Sequence, residues 1–332
     1  MANICYTTGL GSAVCGDSRH LLTELSDESI SLVITSPPFA LQRQKEYGNV
    51  DQSEYVDWLT EFGKLIYRKL RRDGSFVLDL GGSYMKGRPA RSLYNFRALI
   101  RLCDEVGFSL AEDFYWFNPS KLPSPIEWVN KRKMRAKDAV NTVWWLSKTD
   151  WPKADVSQIL TPYSERMKKL LSDPDSYYKP KVRPSGHDIG SSFARVNAGA
   201  IPSNLLQIPN SESNGQYIKW CKLVGADVHP ARFPEALPEF FIRFLTGPGD
   251  LVVDIFAGSN TTGSVAERLG RHWQSFEERV DYVAASTFRL LPPDVTDVQV
   301  MDAYRRVLKG ETVQLSGFVR QQSLLAAASG DD

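Results

Sequence analysis

Apolar residues return at helical spacing between residues 53 and 70, at Val56, Leu59, Phe62, Leu65, Ile66 and Leu70, which predicts an amphipathic helix. Short, nearly continuous apolar runs flank it. Residues 14–17 and 30–35 read as strands, and residues 75–80 (SFVLDL) read as another once Asp73-Gly74 ends the helix. A second helical pattern covers residues 94–106, and a strand pattern covers 112–117. This rhythm predicts a parallel sheet. From Trp151 to about Asp227 it stops. Pro, Ser, Asn and Gly dominate there, with a short helix predicted near 163–171. The rhythm then resumes with a helix over 234–245, a strand over 250–256, a Gly/Ser/Thr turn, a helix over 261–269 and a strand over 272–277. The expected fold class is therefore α/β: one doubly wound, mostly parallel sheet interrupted by an irregular polar insertion. The segments are residues 1–150, the insertion 151–227, residues 228–320, and a disordered tail over 321–332.

Composition narrows the class. With 42% hydrophobic and 24% charged residues, the 332-residue chain suits a globular protein. Forty Lys and Arg oppose 39 Asp and Glu, so any nucleic-acid surface must come from local segregation of charge. Cys5, Cys15, Cys103 and Cys221 form no CxxC pair and have no histidine at ligand spacing, which argues against a metal site or a disulfide framework. No apolar run approaches the roughly 20 residues that span a bilayer, and no export signal precedes the first strand. The reading is a cytoplasmic protein with no membrane partner and no metal.

Two segments carry candidate chemistry. Residues 254–263 (DIFAGSNTTG) sit where a strand gives way to a helix, the place where ligands bind in open α/β sheets. Gly258 lets the backbone approach a ligand closely, and the hydroxyls after it can bond one. A pyrophosphate cradle usually has more glycines, so the loop suits a ligand without a diphosphate. Glu277, at the end of the next strand, stands where an acid commonly binds ribose hydroxyls. A plain strand–turn–helix corner remains the alternative. The second segment is Ser36-Pro37-Pro38-Phe39, directly after the strand at 30–35. Two prolines stiffen the backbone and remove two N–H donors. What remains is a rigid group of acceptors beside an aromatic ring. That group could hold both hydrogens of an amino group on an extruded base, turn its lone pair outward, and stack Phe39 on the ring. A strand ended by a Pro-Pro turn is the alternative.

Together the two segments resemble those of the amino-directed DNA methyltransferases, in which an (Asp/Asn/Ser)-Pro-Pro-(Tyr/Phe) loop accompanies a Phe-x-Gly-x cofactor loop. Their order here, with an insertion between them, is that of the family's beta group. Ser in the first position is the variant usually associated with cytosine. The runs SPPFALQRQKEYGN, DFYWFNPSKLPSPIEWVNKRK, RPSGHDIG and HPARFPEALPEFFIR are similar to the PvuII-type N4-cytosine methyltransferases of restriction–modification systems, over most of residues 13–290.

The resemblance implies S-adenosyl-L-methionine as cofactor and double-stranded DNA as partner. It implies direct in-line transfer to the N4 amino group of a flipped cytosine in a short sequence, and a nucleoid-associated, prokaryotic enzyme. The enzyme is expected either to be an orphan methylase or to belong to a restriction–modification system, whose cognate endonuclease would act on the same site without a stable complex. Residues 1–150 become the catalytic half, 151–227 the target-recognition insertion, and 228–320 the cofactor half. Ser36, Pro37, Pro38 and Phe39 become the catalytic loop. Asp79 falls near Ser36 and polarises its hydroxyl, although a helix cap or an ion pair would explain it as well. Asp17 is expected to bond the adenine amino group. Asp254, Phe256, Ala257, Gly258, Ser259, Asn260, Thr261 and Thr262 are expected around the cofactor, with Glu277 on the ribose. His229 and Phe233 belong to a segment that closes over the methionine end. Ile255 stands where Pro is common, and Asn260 where Gly is common, which is expected to narrow the loop slightly. An adenine-N6 methyltransferase and a catalytically inactive DNA-binding relative stay open. The absence of a Pro-Cys dipeptide argues against a carbon-5 cytosine enzyme.

Basic residues cluster around these segments. Lys131, Arg132, Lys133 and Arg135 form one run, Arg43 and Lys45 follow the catalytic loop, and Lys181, Arg183 and His187 fall in the insertion. They are the expected DNA contacts, with a solvated basic surface as the alternative for each. The aromatic runs at 114–117 and 144–145 read as sheet core.

Overall fold

The computed structural model describes residues 3–39, 54–173, 195–211 and 215–319. Two compact units are present, residues 154–203 and the described residues on either side of them.

In the larger unit, ten strands form one sheet: β1 (Asn3–Thr7), β2 (Gly11–Cys15), β3 (Ile30–Thr35), β4 (Leu70–Leu80), β5 (Ser109–Phe117), β6 (Val140–Ser147), β7 (Leu205–Gln207), β8 (Leu251–Asp254), β9 (His272–Glu277) and β10 (Val313–Gln314). The order is β10-β1-β2-β9-β8-β3-β4-β6-β5-β7. The central run β2-β9-β8-β3-β4 is parallel throughout, and antiparallel pairing is confined to β1-β2, β4-β6 and β5-β6.

β3 is buried along its whole length, as a central parallel strand must be. Its side chains face two cores, alternating from Leu32 onward past an irregularity in the pairing with β4. Ile30 and Val33 join one, built with α1 (Ser18–Glu24), α2 (Tyr55–Lys69) and α3 (Tyr94–Arg101). Leu32 and Ile34 join the other, built with α5 (Gln216–Val224), α6 (Ala236–Leu245), α7 (Thr261–Arg268), α8 (Val280–Ser286) and α9 (Asp297–Leu308). Helices thus cover both faces, and the sheet is doubly wound and mostly parallel. The chain runs from β3 outward to β4 in one direction and from β8 outward to β9 in the other, so the order reverses between β3 and β8. Ligands in open α/β sheets bind outside the strand ends at such a reversal.

Three differences from the sequence reading have local causes. Asp73-Gly74 does not end α2. The helix stops at Lys69 because Leu70 is already extended, and residues 71–74 form an irregularity inside β4. Residues 205–224, read as part of the irregular insertion, supply β7 and α5 to the larger unit. Tyr217, Trp220, Cys221 and Val224 do have helical spacing, but three residues of strand and nine of helix among Pro, Ser and Asn are a short signal. The helix α9, likewise not anticipated, begins in a capping box in which Thr296 and Gln299 bond each other's backbone.

The smaller unit holds α4 (Glu165–Ser172), capped by the Ser164 hydroxyl accepting from Met167 N. Thr161 pairs with Ala200, and Asn197 N donates to the Tyr163 hydroxyl at 3.0 Å. Among the described residues no helix is long and apolar enough to cross a membrane, and no group of His, Cys, Asp or Glu could hold a metal ion.

Candidate active site

The carboxyl ends of β2, β9, β8 and β3 converge on a cavity of about 460 Å³. Asp17 follows β2 and caps α1, where its carboxylate accepts from Arg19 N at 2.8 Å. The Arg19 guanidinium, paired with it at 2.7 Å, holds its pKa below the usual carboxylate range. Glu277 ends β9. One of its oxygens accepts from Gly258 N at 2.9 Å and the other from Arg279 N at 3.0 Å, while burial pushes its pKa up against those two bonds. Gly258 takes φ +51°, and a Cβ there would stand 2.8 Å from the His229 ring. His229 lies edge-on to Tyr282 at 4.5 Å, and burial lowers its pKa to about 4, so the imidazole is neutral. Phe256 packs against Trp58 at 5.5 Å and Phe62 at 5.1 Å, which makes one wall aromatic. Ala257, Thr261 and Phe233 complete the expected residues that line it. Trp58 was missed. It shares a helix face with Phe62, and the helical spacing gave no sign that this face overhangs the strand ends.

Four residues expected at the cofactor do not line the cavity, because their polar groups are used inside the protein. Asp254 is 1% exposed, accepts from Thr35 Oγ1 at 2.7 Å, Thr262 Oγ1 at 2.6 Å and Phe256 N at 3.1 Å, and has its pKa raised by burial. It ties the end of β3 to the loop after β8. The Ser259 hydroxyl accepts from the Arg289 guanidinium at 3.1 Å. Asn260 adopts the left-handed conformation (φ 56°, ψ 44°) that Gly adopts readily. Its side chain accepts from Gly263 N at 3.0 Å and Ser275 Oγ at 2.6 Å and donates to Tyr6 Oη at 2.9 Å. The expected narrowing of the loop therefore does not occur, since the Asn260 side chain is taken up in the interior.

The segment after β3 separates this cavity from a second one of about 1250 Å³. Ser36, Phe39, Ala231, Arg232 and Phe233 line both, whereas Pro37 and Pro38 line the smaller one. Ser36 Oγ donates to Asp79 Oδ2 at 3.0 Å, and Asn141 Nδ2 donates to Asp79 Oδ1 at 3.1 Å. Asp79 is 5% exposed, and burial pushes its pKa up to about 6. It lies within β4, so it caps no helix, and it forms no ion pair among the described residues. Phe39 rests on Gly81, where a Cβ would come within 2.5 Å of its ring.

The DNA methylase family profile matches residues 30–288, more than half of the chain. This chain is a member of the DNA methylase family. The Type II methyltransferase M.PvuII of Proteus hauseri is 67% identical over 314 residues, covering 95% of this methylase and 94% of that relative. M.BglII of Bacillus subtilis is 26% identical over 270 residues, covering 81% of this chain and 65% of that one. The solved PvuII DNA methyltransferase (cytosine-N4-specific) has the same fold, with a TM-score of 0.78 and 58% identity over 94% of this chain and 98% of that one.

Of the basic residues of this methylase, Lys131 lines the larger cavity and pairs with Glu127 at 3.4 Å. Arg132 pairs with Glu127 at 2.9 Å and lies over Trp128. Lys133 is exposed, and Arg135 donates to the Pro89 carbonyl at 2.8 Å. Arg43, Lys45, Lys181, Arg183 and His187 lie outside the described residues. Phe114, Trp144 and Trp145 are buried in the sheet core; Trp116 is also buried, yet it reaches the wall of the larger cavity.

Proposed function

We propose that this methylase transfers a methyl group from S-adenosyl-L-methionine to the N4 amino group of a cytosine flipped out of a short double-stranded DNA sequence. The observation that carries the reading is that two cavities meet at Ser36 and Phe39. One is sized for a cofactor and the other, edged by Lys121 and Lys131, opens to a larger ligand. The smaller cavity fits the cofactor on three counts. Gly258 lines it with backbone alone, Glu277 presents a fixed carboxylate for ribose hydroxyls, and the tilted rings of Phe256, Trp58 and Phe62 give an apolar wall for adenine. When bound, the cofactor supplies a methyl group on a sulfonium.

The protein's part is to prepare the amino nitrogen. Ser36 gives its own hydrogen to Asp79, so its lone pairs are left to accept from the base. Pro37 contributes a carbonyl, and neither proline has an N–H that would compete. Phe39, backed by Gly81, stacks on the ring. With its pKa near 6, Asp79 is ionised at neutral pH and can draw the departing proton through Ser36. The neutral Ser36 hydroxyl and the identity to the cytosine-N4-specific relative both favour cytosine. The target sequence is read by the unit at 154–203 with its neighbouring loops. A cognate endonuclease of the same specificity accompanies the enzyme in the bacterial cytoplasm.

The test is to digest DNA from a host expressing the protein and measure modified nucleosides by mass spectrometry. N4-methylcytosine is the expected product. Dominant N6-methyladenine would move the reaction to adenine, and 5-methylcytosine or unmodified DNA would overturn the proposal.

A further inference from the structure

The Asp79 carboxylate behind Ser36 has a second partner that no motif singles out. Asp79 lies one residue from the end of β4, and the antiparallel register pairs it with Val143 and pairs Leu80 with Thr142 of β6. Asn141 is the next residue along β6. Thr142 Oγ1 donates to the Leu80 carbonyl at 2.7 Å and holds β6 against the end of β4, while Asn141 stays in β6 paired with Trp116 of β5. From there Asn141 Nδ2 reaches Asp79 Oδ1 at 3.1 Å, leaving Oδ2 to Ser36 at 3.0 Å. The other end of the same amide faces Gly81, whose Cβ position would be 3.1 Å from Asn141 Oδ1 and 2.5 Å from the Phe39 ring. One amide therefore touches both the carboxylate behind Ser36 and the floor beneath Phe39.

We propose that Asn141 is a positioning residue for methyl transfer, holding the Asp79 carboxylate so that Oδ2 faces Ser36. The inference rests on the function proposed above. A carboxylate accepts only. A protonated carboxyl would donate to Ser36, and the Ser36 hydrogen would then turn toward the base amino group it must accept from. Burial already favours the protonated form of Asp79, and the hydrogen bonds from Ser36 and Asn141 oppose it. Of the other titratable groups facing it, Lys121 favours the carboxylate. Tyr55 of α2 is itself pushed up by burial, by Tyr94 of α3 and by Asp79, so it stays neutral and offers no compensating charge.

The test compares the full-length protein with Asn141→Leu and Asn141→Asp. For Asn141→Leu, kcat at pH 7 falls about tenfold to hundredfold while KM for DNA changes less than about twofold. The acid limb of the kcat–pH profile moves up by about one pH unit. Asn141→Asp moves it further, because two carboxylates at one site do not both ionise readily. An independent readout is the Asp79 carboxyl resonance in ¹³C-aspartate-labelled protein, assigned with Asp79→Asn, which should titrate at higher pH in Asn141→Leu. Affinity for S-adenosylhomocysteine should be unchanged. An unmoved Asp79 titration, or loss of S-adenosylhomocysteine binding together with kcat, would overturn the inference. A wild-type protein that methylates no DNA would instead remove the functional reading, and the carboxyl titration would still decide whether Asn141 holds Asp79.

Discussion

Gly258→Ala perturbs the turn on which the smaller cavity depends, and its cost divides into two parts that a second variant separates. An alanine at φ +51° pays the left-handed backbone penalty of about 1–2 kcal/mol. It also places a Cβ 2.8 Å from His229 Cε1 and 2.9 Å from Nε2. The ring has little room to retreat. It packs on Tyr282 at 4.5 Å, its backbone N–H donates to Tyr217 Oη at 3.3 Å, and its carbonyl accepts from Arg232. The loop must therefore shift, and the Gly258 amide then leaves Glu277. A hydrogen bond to a charged group is worth roughly 1.5–3 kcal/mol, so affinity for S-adenosylhomocysteine should fall about tenfold to hundredfold. Gly225→Ala is the control, since Gly225 has φ +71° with nothing within 4 Å of a Cβ. It should lower the melting temperature through the backbone part alone and leave affinity intact. Calorimetric titration of all three proteins measures this. Wild-type affinity in Gly258→Ala, or an equal loss in Gly225→Ala, would refute the steric argument.

Phe39→Ala removes the ring that stacks on the extruded base, so kcat/KM for DNA should fall by about 1–3 kcal/mol in transition-state terms, with S-adenosylhomocysteine affinity changed far less. Steady-state methylation of a duplex carrying the target site reports it, and an undiminished kcat/KM would remove Phe39 from the base site. Asn260→Gly relieves a left-handed residue but strands the buried Ser275 hydroxyl and the Gly263 N–H, for a net destabilisation of about 1–3 kcal/mol. Urea denaturation measures it, and a variant as stable as wild type would show that the bonds contribute no more than the backbone relief. Replacing Lys131 and Arg135 by Ala should weaken binding to all duplexes alike and reduce the salt slope by about one for each phosphate no longer neutralised. An unchanged slope would place phosphate binding elsewhere on the protein.

Both loops of the site were legible because each is a local event. An apolar strand running into Ser36-Pro37-Pro38-Phe39, and another running into a turn at Gly258, need only the immediate sequence to be recognised. Asp17 was located from the family resemblance, yet the helix it caps was not read, since α1 is only seven residues long. Asn260 looked like a departure that would crowd the loop. Its compensation lies in Tyr6, 254 residues away, which no local pattern reveals. Asp254 looked like a ligand contact because it begins the motif, but the hydroxyls that bind it are supplied by Thr35 and Thr262.

By itself the sequence determined the doubly wound sheet and the two loops. Hydrophobic period and turn chemistry are set by neighbours along the chain, and they dictate strand, helix and tight corner one segment at a time. Tertiary structure decided which side chains meet and what charge they carry. Asn141 reaches Asp79 across 62 residues only because β6 pairs antiparallel with β4. The Asp79 pKa is pushed up to about 6 because packing removes the carboxyl from water. The meeting of two cavities at Ser36 and Phe39 likewise follows from the reversal of strand order between β3 and β8, a property of the assembled sheet that neither strand carries alone.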